Sequence, residues 1–164
     1  MVLRKQEQKL HRLLLGLALL SCGMLGAAFW FEYVEGLAPC KMCIWQRWPH
    51  AVVMLAGLLS FTALRPSMLI GAAILALMAT GGIGLYHAGV EAGLFAGPDS
   101  CTAGLSPATL SETSLSEGLD ALLNTPLVRC DEVVWSLFGL SMAAWNGLIS
   151  LGGAGLAFML YRRI

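Results

Sequence analysis

Long stretches of this chain carry no charge, and that decides most of what it can become. Residues 13–31 contain no Asp, Glu, Lys or Arg. At about 1.5 Å per residue, a helix of that length crosses the hydrocarbon core of a bilayer. Three more apolar runs follow, over about 45–64, 68–86 and 135–160. Pro49 is tolerable in the second because it falls in the first turns. Only 12% of the residues are charged, where a soluble domain has about 25%. The expectation is an all-α integral membrane protein: one membrane domain over 1–164, built as a four-helix transmembrane bundle. A signal peptide is the competing reading of the N-terminus, but Trp30-Phe31-Glu32-Tyr33 stand where small cleavage-site residues belong.

Four spans leave both ends on one side, and the basic residues say which. Arg4, Lys5, Lys9, Arg12, Arg65, Arg162 and Arg163 fall on one face, seven of the ten. Lys41, Arg47 and Arg129 fall on the other. By the positive-inside tendency, both termini are cytoplasmic and the segments 32–44 and 87–134 face outward. Trp30, Tyr33, Trp45, Trp48, Tyr86 and Trp135 gather at the outer helix ends, as an interfacial belt would. Zero net charge suggests no nucleic-acid partner. In the Gly81-Gly82-Ile83-Gly84 stretch, missing side chains let neighbouring helices approach. Within the outer segment, Ser114-Leu115-Ser116-Glu117 has capping-box spacing. Leu115, Leu119, Leu122 and Leu123 then share a face, which predicts a short amphipathic helix, on the bilayer, on the bundle or packed only on its own loop.

Five cysteines punctuate this plan. Cys22 sits in an apolar run and reads as a small packing residue. Cys40 and Cys43 form a C-x-x-C where the second span begins. Such a pair closes too small a loop to stabilise much as a staple, and a zinc site would need two further ligands. Thiol–disulfide exchange fits it better, with Cys43 in the first helical turn, where unpaired N–H groups favour a thiolate. Cys101 and Cys130 bracket the predicted outer helix. They read either as a plain disulfide or, with a second pair on the same face, as part of a relay. Arg47 lies one turn beyond Cys43 and is either a snorkelling anchor or a cationic donor to a carbonyl oxygen gaining electrons. His50 and His87 read as interfacial histidines, and Asn146 as a bond to another helix. Glu91, Asp99, Asp131 and Glu132 read as a solvated loop face.

The set Pro39-Cys40-x-x-Cys43-x-x-Gln46-Arg47, Ser100-Cys101 and Cys130-Asp131-x-x-x-Trp135-Ser136-x-x-Gly139-Leu140-Ser141-Met142-x-x-Trp145-Asn146 resembles the bacterial DsbB family. The resemblance covers nearly the whole chain. It implies a protein of the bacterial inner membrane with its redox loops in the periplasm. There it would oxidise a DsbA-like thioredoxin-fold thiol oxidase and pass the electrons to a membrane quinone, ubiquinone or menaquinone. By motif, Cys101 would form the mixed disulfide with that partner and Cys130 would be its mate. Cys40 and Cys43 would be the quinone-side pair, with Cys43 nearest the ring and Arg47 and His87 beside the quinone. A vitamin K-type epoxide reductase, the nearest rival, places its C-x-x-C after the loop pair rather than before it.

Overall fold

The computed structural model describes residues 2–62, 65–98 and 129–164. Cys101, Asp99 and the capped outer helix lie outside the described residues. Within them the chain is mostly helical: α1 (Val2–Tyr33), α2 (Lys41–Leu59), α3 (Pro66–Glu91) and α4 (Met142–Arg163). Three helical stretches are long and apolar enough to cross a membrane, Lys5–Tyr33, Pro66–Glu91 and Met142–Arg163. The shorter α2, interrupted by Lys41, Arg47 and Pro49, is packed between α1 and α3.

Several boundaries differ from the sequence expectation, α2 running over Lys41–Leu59 rather than about 45–64, and two of the differences bear on the site. The third helix runs past Tyr86 to Glu91, which puts His87 and Glu91 on one helical face instead of in a loop. Glu91 is therefore not part of a solvated loop face; its side chain is buried. The fourth helix starts at Met142 rather than at Trp135. In the intervening segment, β1 (Ser136–Leu137) pairs antiparallel with β2 (Leu140–Ser141). Phe138 and Gly139 between them have φ of 53° and 77°, the left-handed pair a two-residue hairpin needs. Ser141 then caps α4, its hydroxyl accepting from the Ala144 N–H at 3.2 Å.

Helix α3 packs along both α2 and α4, while α1 rests on α2 and touches α4 little. Leu14, Val53, Ile70, Leu77 and Ala154 fill the centre. Cys22 is exposed on the outside of α1, so it is not the packing residue expected. Trp30, Tyr33, Trp45, Trp48 and Tyr86 are also exposed, as belt residues must be.

The glycine-rich stretch works through particular positions. A Cβ on Gly84 would meet the Gly147 nitrogen at 2.8 Å and the Ala143 carbonyl at 2.9 Å, both rigid backbone; at Gly82 it would meet nothing. Gly84→Ala should therefore force α3 and α4 apart and destabilise the fold by about 1–3 kcal/mol, the usual cost of overpacking. Gly82→Ala should be near neutral. Unfolding in mixed micelles, measured for both, checks the difference.

Candidate active site

At the N-terminus of α2, chain direction and side-chain chemistry converge on Cys40. It is the N-cap residue, and its sulfur accepts the Cys43 backbone N–H at 3.2 Å. The helix end thus serves Cys40, whereas spacing alone suggests Cys43. The two sulfurs lie 2.9 Å apart and share a hydrogen bond. From α3, His87 Nε2 comes within 3.5 Å of the Cys40 sulfur. One turn on, Glu91 Oε1 is 3.8 Å from the same ring nitrogen.

These contacts make Cys40 the acidic thiol. Its pKa is lowered to about 4, first by the hydrogen bond with the Cys43 side chain and then by His87 and the Cys43 backbone; burial opposes them. With the negative charge on Cys40, the proton between the sulfurs belongs to Cys43. In the reduced protein, thiolate absorbance should titrate with a midpoint near 4 and vanish in Cys40→Ser. The sign for stability follows. The folded thiol is more acidic than the unfolded one, so the reduced fold is stabilised above the ordinary thiol pKa. That gain is lost as pH falls through about 4.

Cys130 reaches the same place. Cys130 is disulfide-bonded and buried, and it packs in one apolar cluster with Cys40, Met42 and Val90, with Cys43 against them. Arg129 and Glu132, flanking it, line a cavity of about 20 Å³ together with Cys40, Cys43, His87 and Glu91. Cys40, Cys43 and His87 place three donor atoms within 4.8 Å of one another. The sulfurs are nonetheless closer than the roughly 3.8 Å that two thiolates on one tetrahedral zinc would keep. The spacing suits sulfur–sulfur exchange.

Arg47, one turn beyond Cys43, faces α1. It pairs with Glu32 of α1 and stands over the Phe29 ring at 5.0 Å. Its Nε is buried without a partner among the described residues. One turn further, His50 and Asn146 form the polar end of an otherwise apolar cavity of about 380 Å³, walled by Ala27, Phe31, Trp135 and Met142. Sequence reasoning missed Glu32, Thr80 and the buried role of Glu91, and it quoted Gln46 in the motif without giving it a role. Only the i, i+4 spacing of His87 and Glu91 could have signalled one of them.

An acidic cysteine beside its partner thiol, at the end of a helix in a membrane protein and clustered with a disulfide-bonded third cysteine, defines a membrane thiol/disulfide oxidoreductase. The family described as "Disulfide bond formation protein DsbB" matches residues 10–160. The chain belongs to this DsbB family, whose work is disulfide bond formation. It is 33% identical to disulfide bond formation protein B of Shewanella sp. (strain MR-4) over 137 residues, 82% of this chain and 77% of that protein. With disulfide bond formation protein B 2 of Pseudomonas aeruginosa (strain PAO1) it shares 34% over 137 residues, 76% of this chain and 75% of that protein. The Nitrosomonas europaea protein B is 28% identical over 152 residues, covering 89% and 90%. No solved structure gives a significant match.

Proposed function

We propose that the protein reoxidises a DsbA-like thiol oxidase in the periplasm and passes the electrons to a quinone of the bacterial inner membrane. In this reading α2 is the fourth span, residues 1–164 are one membrane domain, both termini are cytoplasmic, and Cys40, Cys43, Cys101 and Cys130 carry the exchange. The observation that supports it most is the burial of disulfide-bonded Cys130 in one cluster with Cys40. A disulfide-bonded cysteine gathered with a free thiol can trade its bond, whereas two structural staples have no reason to share a cluster.

The family pattern gives each sulfur a task in this reading. A partner thiolate opens the Cys101–Cys130 bridge at Cys101, and the partner's second thiol then releases itself as a disulfide. The loop pair is left as two thiols. Exchange with a Cys40–Cys43 disulfide restores the loop bridge and moves the two electrons to the helix-end pair. His87 offers Cys40 a hydrogen bond as its thiolate forms.

A quinone ring fits what this chain offers. The 380 Å³ cavity is within the usual size of small-molecule sites and lined as they are, by aromatic and aliphatic walls with few polar groups. The orphaned Nε of Arg47 is a donor in need of an acceptor. Arg47 would hold such a ring through that Nε, one helical turn from His50 of the cavity wall though not itself a wall residue; bound there, the ring supplies a two-electron acceptor soluble in the membrane. His87 lies beside Cys40 rather than among that cavity's walls. A direct role for it toward the quinone is thus less supported than one toward the thiolate.

Anaerobic mixing of the purified protein and quinone with a reduced periplasmic thiol oxidase tests the function. Quinone absorbance should fall as partner thiols disappear, one quinone for two thiols. Thiol loss without quinone loss would refute the electron route.

A further inference from the structure

A network of buried polar side chains runs from α1 through α2 and α3 to α4, and its proton directions can be worked out from one end. The Thr80 hydroxyl donates to the Gln46 backbone carbonyl at 2.9 Å, which can only accept. Its proton spent, Thr80 Oγ1 must accept from the Asn146 side-chain atom at 3.1 Å, so that atom is the amide nitrogen. The Thr80 carbonyl, 3.5 Å from the same nitrogen, agrees. Asn146 Nδ2 then donates to Gln46 Oε1 at 2.6 Å. That turns Gln46 Nε2 toward His87 Nδ1 at 3.0 Å. An amide N–H₂ has no lone pair to offer, so Nδ1 must accept. The ring proton of His87 is left on Nε2, the nitrogen that faces Cys40.

The other half of the network closes consistently. Asn146 Oδ1 accepts from Ser150 at 3.1 Å and from His50 Nε2 at 2.9 Å, and His50 Nδ1 takes the Ser21 hydroxyl at 3.2 Å. Gln46, Asn146, Ser21, Ser150 and Thr80 are all buried, and none of them is among the residues the redox chemistry itself requires.

We propose that Gln46, oriented by Asn146 and Thr80, is a positioning residue that holds His87 in its Nε2–H tautomer and so keeps an N–H directed at the Cys40 sulfur. The same amide faces Nδ1 with hydrogen and opposes a second proton on the ring. His87 thereby turns an N–H to the Cys40 sulfur, which favours its ionised form when the pair is reduced. The groups facing His87 are Cys40 and Gln46 of α2, Glu91 of its own helix, and the segment around Cys130, whose Arg129 and Glu132 line the same small cavity with Cys43. The functional meaning rests on Cys40 and Cys43 being the exchanging pair; the tautomer does not.

The test is therefore spectroscopic and needs no turnover. The full chain, labelled with ¹⁵N-histidine and reduced anaerobically in micelles, carries three histidines, and the His87 signal is the one lost in His87→Ala. The wild type should show a protonated Nε2 and a bare Nδ1. In Asn146→Asp the carboxylate can no longer donate, so Gln46 must turn its N–H₂ to it and present Oε1 to His87. The proton should then move to Nδ1, through a residue that does not touch the ring. The Cys40 thiolate, facing a lone pair, should lose about tenfold in acidity. Gln46→Glu, almost isosteric, should likewise place a proton on Nδ1, and it decides the matter if the Asp variant does not fold. A proton on Nδ1 in the wild type would overturn the proposal. So would a bare Nδ1 in every folded variant.

Discussion

Cys43→Ser is expected to reduce no quinone at all, while its loop disulfide still exchanges once with a reduced partner. The reason is one of stoichiometry. A two-electron transfer out of the helix-end pair must close a Cys40–Cys43 bond, and serine cannot supply the second sulfur. Cys130, in one buried cluster with Cys40, offers an alternative mate. Before the partner is added, the Cys40 thiolate can open the Cys101–Cys130 bridge to a Cys40–Cys130 link and a Cys101 thiol. That link goes no further toward quinone. The Cys40 anion should also weaken, because the Cys43 side chain is the foremost cause of its acidity. Single-turnover mixing followed by mapping of the disulfides separates the two steps. Normal quinone turnover by the serine variant would remove Cys43 from the electron route.

The second large effect is expected at Arg47. It is held from two directions, by the ion pair with Glu32 and by the face of Phe29, and its orphaned Nε is the donor left for a ligand. Arg47→Ala removes a charged hydrogen bond worth about 1.5–3 kcal/mol, or roughly ten- to a hundredfold in the Michaelis constant for quinone if that constant tracks binding. Arg47→Lys keeps the charge but not the planar fork and should cost less. The alanine change also strands Glu32, so Glu32→Gln in the same background separates the two causes. If Arg47 is only a snorkelling anchor, the variants will insert poorly yet bind quinone as the wild type does. Quinone dependence at matched folded protein distinguishes these outcomes. In either variant the exchange between the loop pair and the partner should hardly change.

Much of this can be read before any coordinates, because the governing signals are local. Absence of charge marks helices long enough for a bilayer, and C-x-x-C spacing marks a pair able to exchange. Both depend on residues close in sequence. The position of His87 against Cys40 is of another kind. It depends on α3 extending one more turn, which the small and polar residues after Tyr86 conceal. Thr80 could not be read at all, and Gln46 stood in the motif without a partner. In a helix apolar on nearly every side, periodicity does not show which polar residue faces a neighbour. The start of α4 is misplaced in the sequence for a related reason: Trp135-Ser136-Leu137-Phe138 is apolar enough to continue a helix, and only the left-handed backbone at Phe138 and Gly139 turns it into a hairpin.

The buried network has a further bearing on how the bundle assembles. Inside a bilayer the helices gain little from the hydrophobic effect when they meet, since lipid is as apolar as their own side chains. Close-packed glycines permit several rotations of one helix against another. Asn146 does not, because it satisfies groups on α2, α3 and α4 in a single orientation. A helix inserted correctly but turned by one residue would leave amide and imidazole groups unmatched in hydrocarbon, each costing several kcal/mol. The polar thread therefore acts as a proofreading device for assembly: it adds modestly to the cohesion of the correct bundle and penalises every mis-rotated one.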